Sequence, residues 1–128
     1  MSNHHFVSKG WGWEEWIVNK AAYCGKKLFF KKHKCCSLHH HKLKDETFYV
    51  CEGRVKMLWS DDFSMHNEHI TSMEQVIDRL NVTILEAGDS FHVPVGRIHR
   101  VVALTDSTVF EFSTEHFDDD SYRILKGD

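Results

Sequence analysis

His39-His40-His41-Lys42-Leu43-Lys44-Asp45-Glu46 sets two imidazoles two residues apart and a carboxylate five residues beyond the second, with Gly53 following. On a strand, residues i and i+2 share a face, so His39 and His41 point one way and His40 the other. After a short turn, Glu46 is followed by Thr47-Phe48-Tyr49-Val50-Cys51, which reads as the next strand. A second cluster, Gly88-x5-Pro94-x-Gly96-x2-His99, supplies another imidazole behind a Pro94/Gly96 turn. Together His39, His41, Glu46 and His99 form the donor set of a transition-metal site. Imidazole suits zinc, copper, iron and nickel, and a carboxylate adds tolerance for manganese. Donors on separated strands meet only in a closed or folded-over sheet.

Working outward, the chain is mostly short strands. Trp13 to Asn19, Lys26 to Lys32, Thr47 to Cys51 and Arg54 to Trp59 carry strand patterns, and Glu52-Gly53 between the last two is a hairpin signal. Asn81 to Leu85, Phe91 to Val93, Ile98 to Ala103 and Thr108 to Phe112 return to the same pattern. Between the two histidine clusters, Ser72 to Leu80 is expected to form one short helix. Thr71 or Ser72 can cap it with Glu74 or Gln75, and Met73, Val76, Ile77 and Leu80 have helical spacing. Many short strands with frequent turns predict an all-β sandwich or barrel.

The two clusters resemble the paired motifs of the cupin superfamily, Gly-x5-His-x-His-x3-4-Glu-x6-Gly and Gly-x5-Pro-x-Gly-x2-His-x3-Asn. Only His33, at the first Gly, and Ala103, at the Asn, depart from them. The resemblance implies a cupin double-stranded β-helix, or jelly roll, spanning residues 1–128 as a single domain. It also implies one divalent transition metal ion (zinc, manganese, iron, nickel or cobalt) on His39, His41, Glu46 and His99. Trp11-Gly12-Trp13, the strand from Lys26, Ser37-Leu38, His99-Arg100, Glu111 and Asp118-Asp119-Asp120-Ser121-Tyr122-Arg123 further resemble the cupin domain of type II mannose-6-phosphate isomerases. That family carries a glutamine where this chain has His39, and its ending differs after Arg123.

This second resemblance makes Lys26, Arg100 and Arg123 candidates for binding substrate. Glu111 is the candidate base, because Val109-Phe110-Glu111-Phe112-Ser113 alternates and sets Glu111 and Ser113 on one face. The implied function is a metal-binding sugar or sugar-phosphate isomerase or epimerase acting through a metal-stabilised enediolate. A non-catalytic sugar-binding accessory cupin and a metal-dependent cupin oxygenase or lyase are the alternatives. A polar cavity with a cation and a carboxylate near the metal position favours the isomerase, and an apolar one the oxygenase.

Composition narrows the classes. With 128 residues, 41% hydrophobic, the chain fits one modest core, and a net charge of −3 argues against a nucleic-acid binder. No run of about 18 apolar residues is present, so no membrane span is expected. Met1-Ser2-Asn3-His4-His5 lacks the apolar core of a signal peptide, and Cys24, Cys35, Cys36 and Cys51 contain no CxxC pair. They read as reduced thiols of a cytoplasmic protein. His4 and His5 are expected in a loose N-terminus. Lysines 26 to 44 read mainly as a solvated strand edge, with Lys26 the one most suited to an anion. The aromatic segment with Trp11, Trp13 and Trp16 suggests an interface and hence a homodimer.

Overall fold

The computed structural model describes residues 3–128. Met1 and Ser2, the start of the stretch read as lacking a signal peptide, lie outside the described residues. Among the described residues eleven strands form two antiparallel sheets. They are β1 (His5–Lys9), β2 (Gly12–Asn19), β3 (Cys24–Phe30), β4 (Leu38–His40), β5 (Glu46–Glu52), β6 (Arg54–Ser60), β7 (Asn81–Glu86), β8 (Ser90–Val93), β9 (Ile98–Ala103), β10 (Ser107–Ser113) and β11 (Tyr122–Leu125). One sheet runs β1-β2-β3-β10-β5-β8 and the other β11-β4-β9-β6-β7. This is the double-stranded β-helix the sequence predicts. His5 belongs to β1 rather than to a loose end, and His4 contacts Glu15 on β2.

Side-chain alternation decides what lies between the sheets. On β3 the inward row is Cys24, Lys26, Leu28, Phe30; on β5 it is Glu46, Phe48, Val50; on β10 it is Ser107, Val109, Glu111; on β9 it includes His99, Val101, Ala103. Each row is apolar for part of its length and charged or imidazole-bearing toward one end. Leu28, Phe30, Phe48, Val50, Met57, Val101 and Val109 pack there with Trp11, which stacks on Phe30 at 4.2 Å. Fully burying such side chains contributes about 1.5–3 kcal/mol each. The polar ends of the same rows form the site.

The segment between the motifs covers the back of the five-stranded sheet. Leu38, Leu58 and Ile98 point outward there and are capped by Met65, Val76 and Leu80. The expected helix is absent: Met73–Gln75 and Ile77–Arg79 are two separate 3-10 turns. Gln75 does reach back to the Ser72 N–H at 3.2 Å, as the capping pattern foretold. Val76, however, leaves helical geometry at φ −127°, which lets Val76 and Leu80 bury while Ile77 stays exposed. Gly53 ends the β5–β6 hairpin at φ +90°, where a Cβ would fall 2.4 Å from the Asp106 carbonyl oxygen.

Candidate metal centre and its cavity

His39 on β4 and His99 on β9 are direct cross-strand partners, with ring centroids 4.3 Å apart. His41, just past β4, lies 4.9 Å from the His39 ring and 5.6 Å from the His99 ring. One ligating nitrogen from each of the three falls within 4.8 Å of the others. Glu46, the first residue of β5, reaches in from the opposite sheet. Its Oε2 is 3.1 Å from His41 Nε2 and its Oε1 is 3.8 Å from His99 Nε2.

The backbone fixes which nitrogen faces the centre. Nδ1 of His39, His41 and His99 lies 3.0, 2.8 and 3.0 Å from the carbonyl oxygens of Ser37, Asp120 and Arg97. A carbonyl accepts only, so each Nδ1 donates, and in the neutral ring Nε2 then carries the lone pair. His99 Nε2 and Glu46 Oε2 are buried without a hydrogen-bond partner among the described residues. Leaving such atoms bare costs roughly 1–3 kcal/mol each. A shared cation that accepts electron pairs from both removes that cost, and this donor set fits a divalent transition ion.

The protonation states agree with that fit. Burial drives His39 well below the ordinary imidazole value and His99 down to about 3, and the neighbouring imidazoles push both the same way. Burial alone would raise Glu46, but Lys44 and His41 beside it hold it down to about 2. Neutral rings and an ionised carboxylate are the forms that ligate metal.

The centre opens into a cavity of about 680 Å³. Glu111 on β10 is buried in its wall, with Oε2 accepting from Lys44 Nζ at 2.9 Å. Lys26, its register partner on β3, also lines the cavity and is 3% exposed. Arg123 on β11 is the register partner of His39 and stands exposed at the rim. Arg100 does not join them. It follows the inward His99 on β9, so alternation turns it outward, and its guanidinium donates to the Lys126 carbonyl oxygen at 2.8 Å.

The sequence reading missed three residues. Lys44, grouped there with a solvated edge, is buried between Glu111 (2.9 Å) and Glu46 (3.6 Å). Burial alone would lower it, but those two carboxylates hold it above the ordinary ammonium value. Asp120, named there only within the stretch from Asp118 to Arg123, is buried and its carboxylate accepts from the N–H groups of Lys42, Leu43 and Lys44. His116 lines the cavity, with Nδ1 3.1 Å from Lys44 Nζ and Nε2 3.0 Å from Asp118. Nothing local in the sequence marked these three.

No protein-family model matches the chain, and no curated protein does. Solved structures do match it. KdgF from Halomonas sp. superposes with a TM-score of 0.64 at 19% identity, over 84% of this chain and 81% of that one. The capsular polysaccharide assembling protein CapF from Staphylococcus aureus gives 0.78 at 17%, over 98% of this chain and 33% of that one. A variant of Bacillus subtilis oxalate decarboxylase gives 0.75 at 14%, over 95% and 30%. The chain thus spans most of KdgF and about a third of the other two. All three have the cupin fold, and at these identities the shared property is that fold. The chain is a cupin-fold protein with a three-histidine cluster suited to a metal.

Proposed function

We propose that this protein is a metal-dependent cupin enzyme that isomerises or epimerises a small sugar or sugar phosphate through an enediolate, in the manner of type II mannose-6-phosphate isomerases. The observation that carries the reading is the juxtaposition of the three-histidine cluster with a buried Lys44–Glu111 pair in one cavity. A wall bearing both cations and carboxylates favours this chemistry over an oxygenase. CapF, by name a capsular polysaccharide assembling protein, supports a carbohydrate ligand as a neighbour in fold.

His39, His41, Glu46 and His99 would hold one divalent ion: zinc, manganese, iron, nickel or cobalt. When bound, such an ion polarises a carbonyl and offsets negative charge on its oxygen. Glu111 moves the proton between the two adjacent carbons of the substrate. Lys44 fixes Glu111 Oε2, which leaves Oε1 without a hydrogen-bond partner among the described residues and free to face the carbon acid. Arg123, at the rim beside His39, takes an anionic group if the substrate carries one, its planar fork suiting phosphate or carboxylate. The four unpaired cysteines support a reducing, cytoplasmic setting. The exposed apolar outer face of the six-stranded sheet supports a homodimer.

Elemental analysis and a sugar-phosphate activity panel test the reading. The protein should carry about one ion per chain, and Glu111→Gln should lower turnover by roughly 10²–10⁴-fold while metal content stays the same. Full activity in that variant removes Glu111 from its role. No turnover of any panel member by the metal-loaded wild type makes the accessory sugar-binding module the better reading.

A further inference from the structure

Apart from the metal-site histidines, β2 and β3 place a second polar group in the cavity wall, where His5 and His116 pack edge-on against Trp16. Lys26 on β3 is 3% exposed, yet its Nζ makes no hydrogen bond among the described residues. One side of the ammonium lies over the Trp16 ring, 4.1 Å from its centroid. The nearest carboxylate oxygen is Glu14 Oε1 on β2, 3.8 Å away. That distance is too long for a direct hydrogen bond. Trp16 Nε1 donates to the same Oε1 at 2.9 Å and so fixes where Glu14 sits. All three residues line the cavity. The ammonium thus has N–H donors left to give, and the gap between it and Glu14 has a definite shape.

An oxygen atom seated in the gap can lie at hydrogen-bonding distance, about 2.8 Å, from both Nζ and Oε1. It must accept from Lys26 and donate to Glu14. A hydroxyl does both. An ionised phosphate or carboxylate only accepts, and there it would face the like charge of Glu14. We infer that Glu14 and Lys26, held by Trp16, form a subsite that reads a hydroxyl of a polyhydroxylated ligand, so that any anionic group of the substrate lies elsewhere, toward Arg123. This inference rests on the reading of the cavity as a carbohydrate site and narrows which end of the carbohydrate reaches β2 and β3. Glu14 is a specificity residue in this account, and Lys26 is not a phosphate grip.

Hexitols and their terminal phosphate esters are suitable probes, because they have the hydroxyls but no carbonyl to be turned over. Mannitol, sorbitol and galactitol, each with and without phosphate, are titrated calorimetrically into the zinc-loaded full chain and its variants. Glu14→Gln keeps an acceptor oxygen for Trp16 but loses the charge. It should weaken the best-bound hexitol and its phosphate ester alike, by about tenfold. Lys26→Met should do the same, and thermal unfolding confirms that each variant is folded. A Glu14→Gln variant that binds a phosphate ester more tightly than wild type overturns the inference, since it reveals an anion site. So does one that leaves hexitol affinity within about twofold, which means the gap holds only water, and so does a wild type that binds no hexitol. Failure of the isomerase reading shows separately, as absent turnover on the sugar panel with this affinity pattern intact.

Discussion

Glu46 sits where every inward pressure on a side chain meets. It is buried, it touches His41, and Lys44 is its nearest full charge at 3.6 Å. Lys44 must also serve Glu111, so one ammonium neutralises two buried carboxylates. Removing one partner of such a group leaves an uncompensated buried charge, which explains why these residues stand or fall together. The imidazoles next to them set a pH dependence whose sign can be worked out. Burial lowers His39 well below 6.5, His99 to about 3 and His40 to about 4. The unfolded chain therefore takes up these protons first as pH falls, and stability present above about pH 6.5 is lost on the way toward those lower values. Glu46, depressed from 4.5 to about 2, adds its own loss below about pH 4.5. Urea unfolding of metal-free protein should show the midpoint falling between about pH 7 and about pH 5, with up to about 1.4 kcal/mol lost per pH unit for each proton taken up. His99→Gln should flatten that slope. A midpoint independent of pH over this range would mean that the rings are not buried and neutral.

At the scale of elements, the turn between β4 and β5 does more than connect them. It must deliver His41 and Glu46, from opposite sheets, to one point. Asp120 makes that possible by accepting from three consecutive N–H groups, those of Lys42, Leu43 and Lys44, while its own carbonyl oxygen orients His41. Asp120→Ala removes the acceptor of three N–H groups, that of Lys44 buried, and should destabilise the protein by about 1–3 kcal/mol. Because it loosens an outer support of His41, zinc affinity should fall by roughly 10–100-fold. Asp120→Asn, which keeps one acceptor oxygen, should lose less of both. A metal titration beside a denaturation curve checks this, and unchanged zinc affinity in the Ala variant would reduce Asp120 to a loop staple. The 3-10 turns at Met73–Gln75 and Ile77–Arg79 teach the opposite lesson about elements. A helical period over so few residues was overridden by the sheet's need for Val76 and Leu80 as caps over Leu58 and Ile98.

For the whole molecule, the jelly roll was legible because strand alternation and the two motif spacings are local properties of the chain. His39, His41, Glu46 and His99 were legible for the same reason. Arg100 misled because resemblance placed it in the pocket, although the alternation that turns His99 inward turns Arg100 out. Lys44, Asp120 and His116 were hidden because their partners lie across the fold: Asp120 meets Lys42 78 residues away, and Lys44 meets Glu111 and His116 67 and 72 residues away. The aromatic N-terminal segment was also read only in part. Trp11 is spent inside the barrel on Phe30, and Trp16 walls the cavity, so neither is free to anchor a partner. What remains exposed is the outer face of the six-stranded sheet. Trp13 stacks there on Phe29, and Ile17, Tyr23, Tyr49 and Phe112 are 41%, 50%, 39% and 54% exposed. Tyr, Trp and Phe on one face favour association over solvation. The dimer is therefore expected through this face, and Phe112→Lys should convert it to monomer without disturbing the cavity on the other side of the sheet. Sedimentation velocity across a concentration series reads the outcome directly. A wild type that stays monomeric at the highest concentration, or a Phe112→Lys variant that still dimerises, rules out this face as the interface.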